Sequence, residues 1–150
     1  AVSLKHSLPR YESIQPLYNL HDRADFEQKL QAVCIKHGVG VISYFSLASG
    51  FLTGKYRSED DLGKSARGQG VKKYLTDRGR RILEAMDSVA RETAATPACV
   101  ALAWLMAQPG ITAPIASATS VPQLEELFAA TRLRLDSAAL DRLDAASRSS

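Results

Sequence analysis

From Val39 to Arg57 the chain reads VGVISYFSLASGFLTGKYR, and this order of residues restricts the fold more than any other stretch. A β-branched run, Val39, Val41 and Ile42, ends in the aromatic Tyr44 and then breaks into small residues, two glycines and a Lys-Tyr-Arg cluster. A strand apolar on both faces belongs inside a parallel sheet rather than on one with a wet side. The small residues that follow, Ser46, Ser49, Gly50, Thr53 and Gly54, let backbone approach a ligand closely. Lys55 and Arg57 then suit an anionic ligand.

Around this block the chain alternates between strand and helix patterns. Ala1 to Leu8 reads as the tail of a helix halted by Pro9, and Tyr11 to Gln15 as a short strand. Phe26, Leu30, Val33 and His37 recur at helical spacing, with Gly38 as the cap and Gly40 opening the next strand. Phe45 to Leu75 shows no apolar period and reads as one long loop, a length that is usually functional. Ile82, Leu83, Met86, Val89 and Ala90 mark the buried face of a helix that begins after Thr76-Asp77. A second begins at Thr96-Pro97, a capping residue followed by proline at the first helical position, and stops at Pro109-Gly110, with Trp104 and Leu105 facing the core. Ile111 to Ala116 is the third strand. Ser120 to Gln123 has the form of a capping box, with Leu124, Leu127 and Phe128 as the buried stripe behind it, and a last helix runs from about Ser137 to Ala146 with Leu140 and Leu143 inward.

Three strands joined through helices form right-handed crossovers between parallel neighbours. Such a sheet keeps an unpaired edge on each side, so by physics alone the chain is part of a larger sheet.

Lys and Arg number 19 against 16 Asp and Glu, with the signs interspersed. A net charge of +3 without a basic block gives no indication of nucleic acid. The clusters at Lys55 to Arg57 and Lys64 to Lys73 fit a phosphate-bearing small molecule or, equally on charge alone, a solvated loop. Cys34 and Cys99 lie far apart in helical patterns without C-x-x-C spacing, and read as reduced core thiols. His6, His21 and His37 are scattered, so no metal site is expected. No apolar run approaches the length of a membrane span, and no signal pattern opens the chain, so a cytoplasmic location is expected. The start at Ala1 rather than Met carries the expectation of a longer product.

Several residues admit both a bland and a functional reading. Ser120 and Gln123 cap a helix with or without ligand, yet the free N–H groups of that helix start, with Ser117, Thr119 and Ser120, also form an anion site. Tyr44 is a core aromatic, a catalytic phenol or a flat surface for a ring. Gln15 ties down a loop or pairs with a carboxamide. Lys55 and Arg67 are exposed loop charges or phosphate partners, Arg67 by bidentate pairing.

The Val39 to Arg57 block, SIQPLYNL at Ser13 to Leu20, Ser65-Ala66-Arg67-Gly68, ALAWLMAQPG at Ala101 to Gly110 and PIASATSVPQLEELFAA at Pro114 to Ala130 together resemble the aldo-keto reductases, in that family's order. The resemblance covers nearly the whole chain but only the last part of the family's. It implies an α/β fold, the C-terminal part of a (β/α)8 TIM barrel with about three parallel strands and helices; a complete barrel needs about 250 residues. It implies NADP(H) as cofactor, a small carbonyl compound as substrate, and the missing N-terminal part of the barrel as partner. Gln15 then fixes the nicotinamide amide, Tyr44 stacks on the nicotinamide ring, and Phe45, Ser46, Leu47, Ser49, Gly50 and Lys55 line the dinucleotide, with Lys55 near its pyrophosphate. Ser65, Arg67, Ser117, Thr119 and Gln123 meet the adenosine phosphate region, and Glu126 the adenine. Phe45-Ser46 stands in place of the frequent Ser-Pro, Ser117 where glycine is frequent, and Leu127 where asparagine is common.

In that family a tyrosine protonates the carbonyl oxygen with help from a lysine, an aspartate and a histidine, and none of the four maps onto this chain. Lys55-Tyr56 and Lys73-Tyr74 are adjacent pairs on loop segments and nothing aims them at one atom. The implied activity is NADP(H)-dependent reduction of aldehydes or ketones, with this chain as its cofactor-binding part, inactive alone. The alternative is a non-catalytic dinucleotide-binding or protein-interaction module with open sheet edges.

Overall fold

The computed structural model describes residues 2–64 and 68–148. Strands β1 (Ser13–Ile14), β2 (Gly40–Ser43) and β3 (Ile111–Pro114) form one parallel sheet in the order β1-β2-β3. Ser13 pairs with Gly40, and Ser43 with Pro114, with an irregularity between Val41 and Ile42. The expected three-stranded parallel α/β arrangement is therefore present. Its strands are shorter than their sequence patterns. Proline explains part of this: Pro16 and Pro114 carry no N–H to donate, so pairing beyond them is reduced to a single bridge between Leu17 and Tyr44, with Pro16 accepting from Tyr44 N–H, and to Ser43 accepting from Ile115 N–H. Among the described residues β1 and β3 each pair on one side only.

Helices α1 (Val2–Lys5), α2 (Ala24–Lys29), α3 (Gln31–His37), α4 (Asp77–Glu92), α5 (Pro97–Ala107), α6 (Val121–Arg132) and α7 (Ser137–Ser147) complete the regular structure. Thr76 caps α4 by accepting from Gly79 N–H, and the face with Ile82, Leu83, Met86, Val89 and Ala90 is buried as the periodicity requires. α5 has no polar side at all: every residue from Ala98 to Leu105 is buried, which makes it the centre of the helical layer. It packs against α4, α6, β3 and the turn after β2.

Three expectations need correction. The helix read through Phe26, Leu30, Val33 and His37 is two helices bent at Leu30, where φ is −115°. The bend rotates the second half, so Cys34 is buried and Val33 is 53% exposed. Gly38, at φ 60°, still caps it, with Val39 N–H bonded to Cys34 C=O. The stretch Phe45 to Leu75 is not structureless: it contains 3-10 segments at Ala48–Thr53, Glu59–Lys64 and Gly68–Tyr74. Each buries isolated residues, among them Phe51, Leu52, Leu62, Val71 and Tyr74, and single anchors spaced by tight turns leave no period to read. Finally, the stripe on α6 is not buried. Leu124 and Phe128 are exposed and Leu127 is half-buried, because α6 meets the rest of the fold through Ala130 against Cys99 and Leu102 of α5.

A polar network fastens α7 and α2 to the apolar centre. Arg23 donates to Glu27 and Asp144, each at 2.8 Å, and to Ser147 at 2.6 Å. Its guanidinium lies 4.9 Å from the Trp104 ring, whose N–H also donates to Asp144 at 2.9 Å, and Tyr18 donates to Glu27 at 2.8 Å. Burial, reinforced by Glu27, pushes the Tyr18 phenol far above its ordinary value and keeps it a neutral donor. Truncating one partner of a buried pair leaves the other charge uncompensated. Asp144→Ala is expected to cost about 3 kcal/mol, read as a lower urea midpoint with unchanged slope.

Candidate functional site

The tips of β2 and β3 point the same way and stand side by side, so the chain leaving each forms one wall of a cleft of about 660 Å³. One wall is Tyr44, Phe45, Ser46, Leu47, Ser49, Gly50, Thr53 and Lys55; the other is Ile115, Ala116, Ser117, Thr119, Gln123, Glu126 and Leu127. Eleven of the fourteen residues that the sequence nominates thus share one cavity. Gln15 does not; it is exposed just beyond β1, outside the cleft lining. Ser65 and Arg67 lie outside the described residues. Ile115 is a cleft residue that sequence reasoning left inside a strand.

The first wall owes its shape to unusual backbone. Phe45, Ala48 and Ser49 have φ of 53°, 49° and 59°, followed by Gly50 at 95° and Gly54 at 78°. Left-handed residues other than glycine are disfavoured and persist only when their surroundings fix them. Local bonds from Ala48 N–H to Phe45 C=O and from Gly50 N–H to Leu47 C=O close the turns, both at 2.8 Å. Thr53 donates to Gly50 C=O at 2.8 Å. The Tyr44 and Phe45 rings lie 5.3 Å apart and are 39% and 54% exposed, so both offer apolar surface at the cleft.

The fixing group from outside is Asn19, which is fully buried. Its amide nitrogen donates to Phe45 C=O at 3.0 Å and to Asp22 at 3.1 Å, while its oxygen accepts from the N–H groups of His21 and Asp22, both at 2.8 Å. Tyr74 donates to Asp22 at 2.8 Å, and the His21 ring meets Tyr74 edge-on at 4.8 Å. Burial raises the Asp22 carboxyl, but hydrogen bonds from His21, Tyr74 and Asn19 outweigh it and hold the group at about 2. Burial and then Asp22 push the Tyr74 phenol far up, which keeps it a neutral donor to Asp22. Tyr56 is likewise buried. The Lys55 and Lys73 amines lie over the rings of their neighbouring tyrosines, 5.1 Å and 4.8 Å from the ring centres.

Cations divide into paired and available. Arg57, which the sequence offers to an anion, is committed elsewhere: both guanidinium nitrogens bind Asp87 at 2.8 Å and Nε donates to Gly54 C=O at 2.7 Å. Lys64 pairs with Asp61, Lys72 with Glu59, and Lys73 sits 4.8 Å over the Tyr74 ring. Lys55 lies in the cleft with its amine 5.1 Å from the Tyr56 ring. Among the described residues it pairs with no carboxylate.

On the second wall Ser120 accepts from Gln123 N–H at 3.5 Å, the helix-capping bond that the sequence spells. The return bond is displaced by one residue: Gln123 Oε1 accepts from Thr119 N–H at 2.8 Å and from its hydroxyl at 3.0 Å. That leaves the Gln123 amide nitrogen as the end able to donate to a ligand. Glu126 accepts from the Thr96 hydroxyl of the α5 cap.

Among the described residues no group of His, Cys, Asp and Glu could hold a metal ion, and no helix is long and apolar enough to cross a membrane. Cys34 and Cys99 are free and buried.

A family model described as aldo/keto reductase family matches residues 1–148. Protein tas of Escherichia coli is 30% identical over 149 residues, covering 94% of this chain and 41% of that protein. The aldo-keto reductase yakc of Schizosaccharomyces pombe, whose name specifies NADP(+), is 30% identical over 113 residues, covering 73% of this chain and 33% of its own. In fold the chain is similar to a thermostable aldo-keto reductase crystallised with the inhibitor epalrestat, with a TM-score of 0.68 at 24% identity over 96% of this chain and 42% of that one. The chain therefore spans a third to two fifths of the length of these curated relatives.

Because Asp22 titrates at about 2 when folded and near its ordinary 3.8 when unfolded, its stabilisation is complete above about pH 4 and disappears as pH falls toward 2. The advantage of wild type over Asp22→Asn should shrink by about 2 kcal/mol across that window, measured by urea unfolding at successive pH values.

Proposed function

The chain belongs to the aldo/keto reductase family, and from that premise we propose that it is the cofactor-holding part of an NADP(H)-dependent oxidoreductase that reduces aldehydes or ketones to alcohols in the cytoplasm. The observation that carries this reading is the single cleft formed by two adjacent parallel strand tips. Ligands of open or closed α/β sheets sit at such tips, and phosphates favour the loops beside a helix start. The donor set suits a phosphorylated dinucleotide: Lys55, which among the described residues pairs with no carboxylate, the Ser117 hydroxyl and the Gln123 amide nitrogen all border one cavity, while Thr119 gives its hydroxyl proton to Gln123 Oε1 and so orients that amide.

Bound NADP(H) supplies the hydride. Tyr44 offers a flat ring face to the nicotinamide, and Gln15, at the neighbouring tip, is assigned to its carboxamide. The Phe45 to Gly50 turn and Lys55 face the pyrophosphate. Thr119, Gln123, Ser65 and Arg67 are assigned to the adenosine phosphate, and Glu126 to the adenine. The proton for the carbonyl oxygen comes from groups in the remaining part of the barrel, which also completes the sheet at its edges and covers apolar residues such as Tyr11, Val121 and Phe128, all more than half exposed. Those open edges equally favour the second reading, a non-catalytic dinucleotide-binding or protein-interaction module.

The 150-residue chain is expected to quench or enhance NADPH fluorescence on binding yet to turn over no NADPH with simple aldehydes. Turnover would place the catalytic groups on this chain and refute the assignment. Arg67→Ala should weaken NADPH by roughly tenfold or more, through loss of a charge-assisted pair, and leave NADH almost unchanged.

A further inference from the structure

Helix α6 carries three cleft residues, Gln123, Glu126 and Leu127, and a narrow apolar seam holds it to α5. Its buried contact is Ala130 against Cys99 and Leu102, with Leu127 partly buried, while Val121, Leu124 and Phe128 remain exposed. Polar contacts add to this seam at the cleft residue Glu126.

Two polar contacts from the first turn of α5 converge on one α6 residue. The Thr96 hydroxyl donates to the Glu126 carboxylate, and Cys99 Sγ donates to the Glu126 main-chain oxygen at 3.2 Å. Thr96 is itself fixed, because its hydroxyl oxygen accepts from Cys99 N–H at 3.2 Å as the cap of α5. Glu126 is thus held at its side chain by the exposed Thr96 and at its backbone by Cys99, on a helix buried from Ala98 to Leu105. Thr96 and Cys99 do not face Tyr44 or Lys55; Thr96 borders the opposite side of Glu126 and is absent from the cleft wall.

We propose that Thr96 is a positioning residue for the cofactor cleft, holding the Glu126 carboxylate in the wall that meets the adenosine half of the ligand. This rests on the cofactor reading above. A fixed carboxylate meets its ligand without first losing side-chain freedom, so removing the donor weakens binding although no contact to the ligand is deleted.

The test is a double-mutant cycle of Thr96→Val with Glu126→Ala on the 150-residue chain, with Thr96→Ser as the conservative variant. Valine keeps the shape and removes the hydroxyl; loss of the α5 cap is common to both arms of the cycle and cancels. NADPH and reduced nicotinamide mononucleotide, which lacks the adenosine half, are the two probes. Thr96→Val should raise the NADPH dissociation constant roughly three- to tenfold, the range of one ordinary solvent-exposed hydrogen bond, leave the mononucleotide unchanged, and have no further effect when Glu126 is already alanine. Thr96→Ser should bind as wild type. Equal weakening of both probes, or the same weakening in the Glu126→Ala background, overturns the proposal. Urea unfolding of the same four proteins separates it from the cofactor reading. If wild type binds no NADPH, both fall, and coupling in unfolding alone then reduces the Thr96 contact to a structural one.

Discussion

The cleft depends on one buried amide. Asn19 spends both donors and its oxygen on four partners, and one of them is the carbonyl of Phe45, the left-handed residue where the chain turns away from β2. An aromatic residue has no intrinsic reason to adopt φ near 53°, and the alternative of a flipped Phe45 peptide would orphan a fully buried Asn19 donor. The penalty for that orphan is of the same order as the cost of the strained turn, about 1–3 kcal/mol each, so the bond offsets the strain. Through Asp22 the same cluster reaches Tyr74, so the 3-10 segment at the far end of the long connection is held to the turn at its beginning.

Around this tether the division of labour is between an apolar helix and a polar rim. α5 is buried from Ala98 to Leu105 and fixes distances, whereas α2, α6 and α7 add specific polar contacts to their own apolar anchors Phe26, Ala130 and Leu143: Arg23 with Asp144 and Trp104 on one side, Glu126 with Thr96 and Cys99 on the other. Desolvated ion pairs contribute little net stability compared with apolar packing but tolerate only one geometry. The consequence is a scaffold whose peripheral helices are placed precisely by bonds that mutation can remove singly.

What could be read in advance follows the range of the interaction. Caps at Thr76, Thr96 and Ser120, the glycine terminator at Gly38, the buried face of α4 and the wholly apolar α5 are local, and each was legible from residues within one or two turns. The common cleft of Tyr44 to Lys55 with Ser117 to Glu126 came from motif order and from the parallel crossover rule. The bend at Leu30 was hidden because apolar residues occur on both sides of it: Val33 is exposed although it matches the helical stripe of Phe26 and Leu30. The 3-10 anchors have no period to detect. Arg57 looked available because its partner, Asp87, lies thirty residues away on α4, and the Asn19 to Phe45 bond spans a similar gap. Long-range polar pairs of this kind leave no trace in a single sequence beyond the residue types themselves.

The two walls of the cleft differ from the β1 side in a way that matters for what this stretch of chain can do alone. Both walls hang from β2 and β3, which pair directly, and both are braced by α5, so their separation is set by covalent and packed elements on the described chain. Gln15, by contrast, follows a two-residue strand at the sheet edge and is exposed, and among the described residues no strand pairs with β1 on its outer side. Preorganisation is therefore concentrated where phosphates and the adenosine half are assigned, and is least where the nicotinamide amide is assigned. A dinucleotide bound here would be held mainly by the end remote from the reacting carbon, with its reactive ring oriented by Tyr44 and by whatever completes the sheet beside β1.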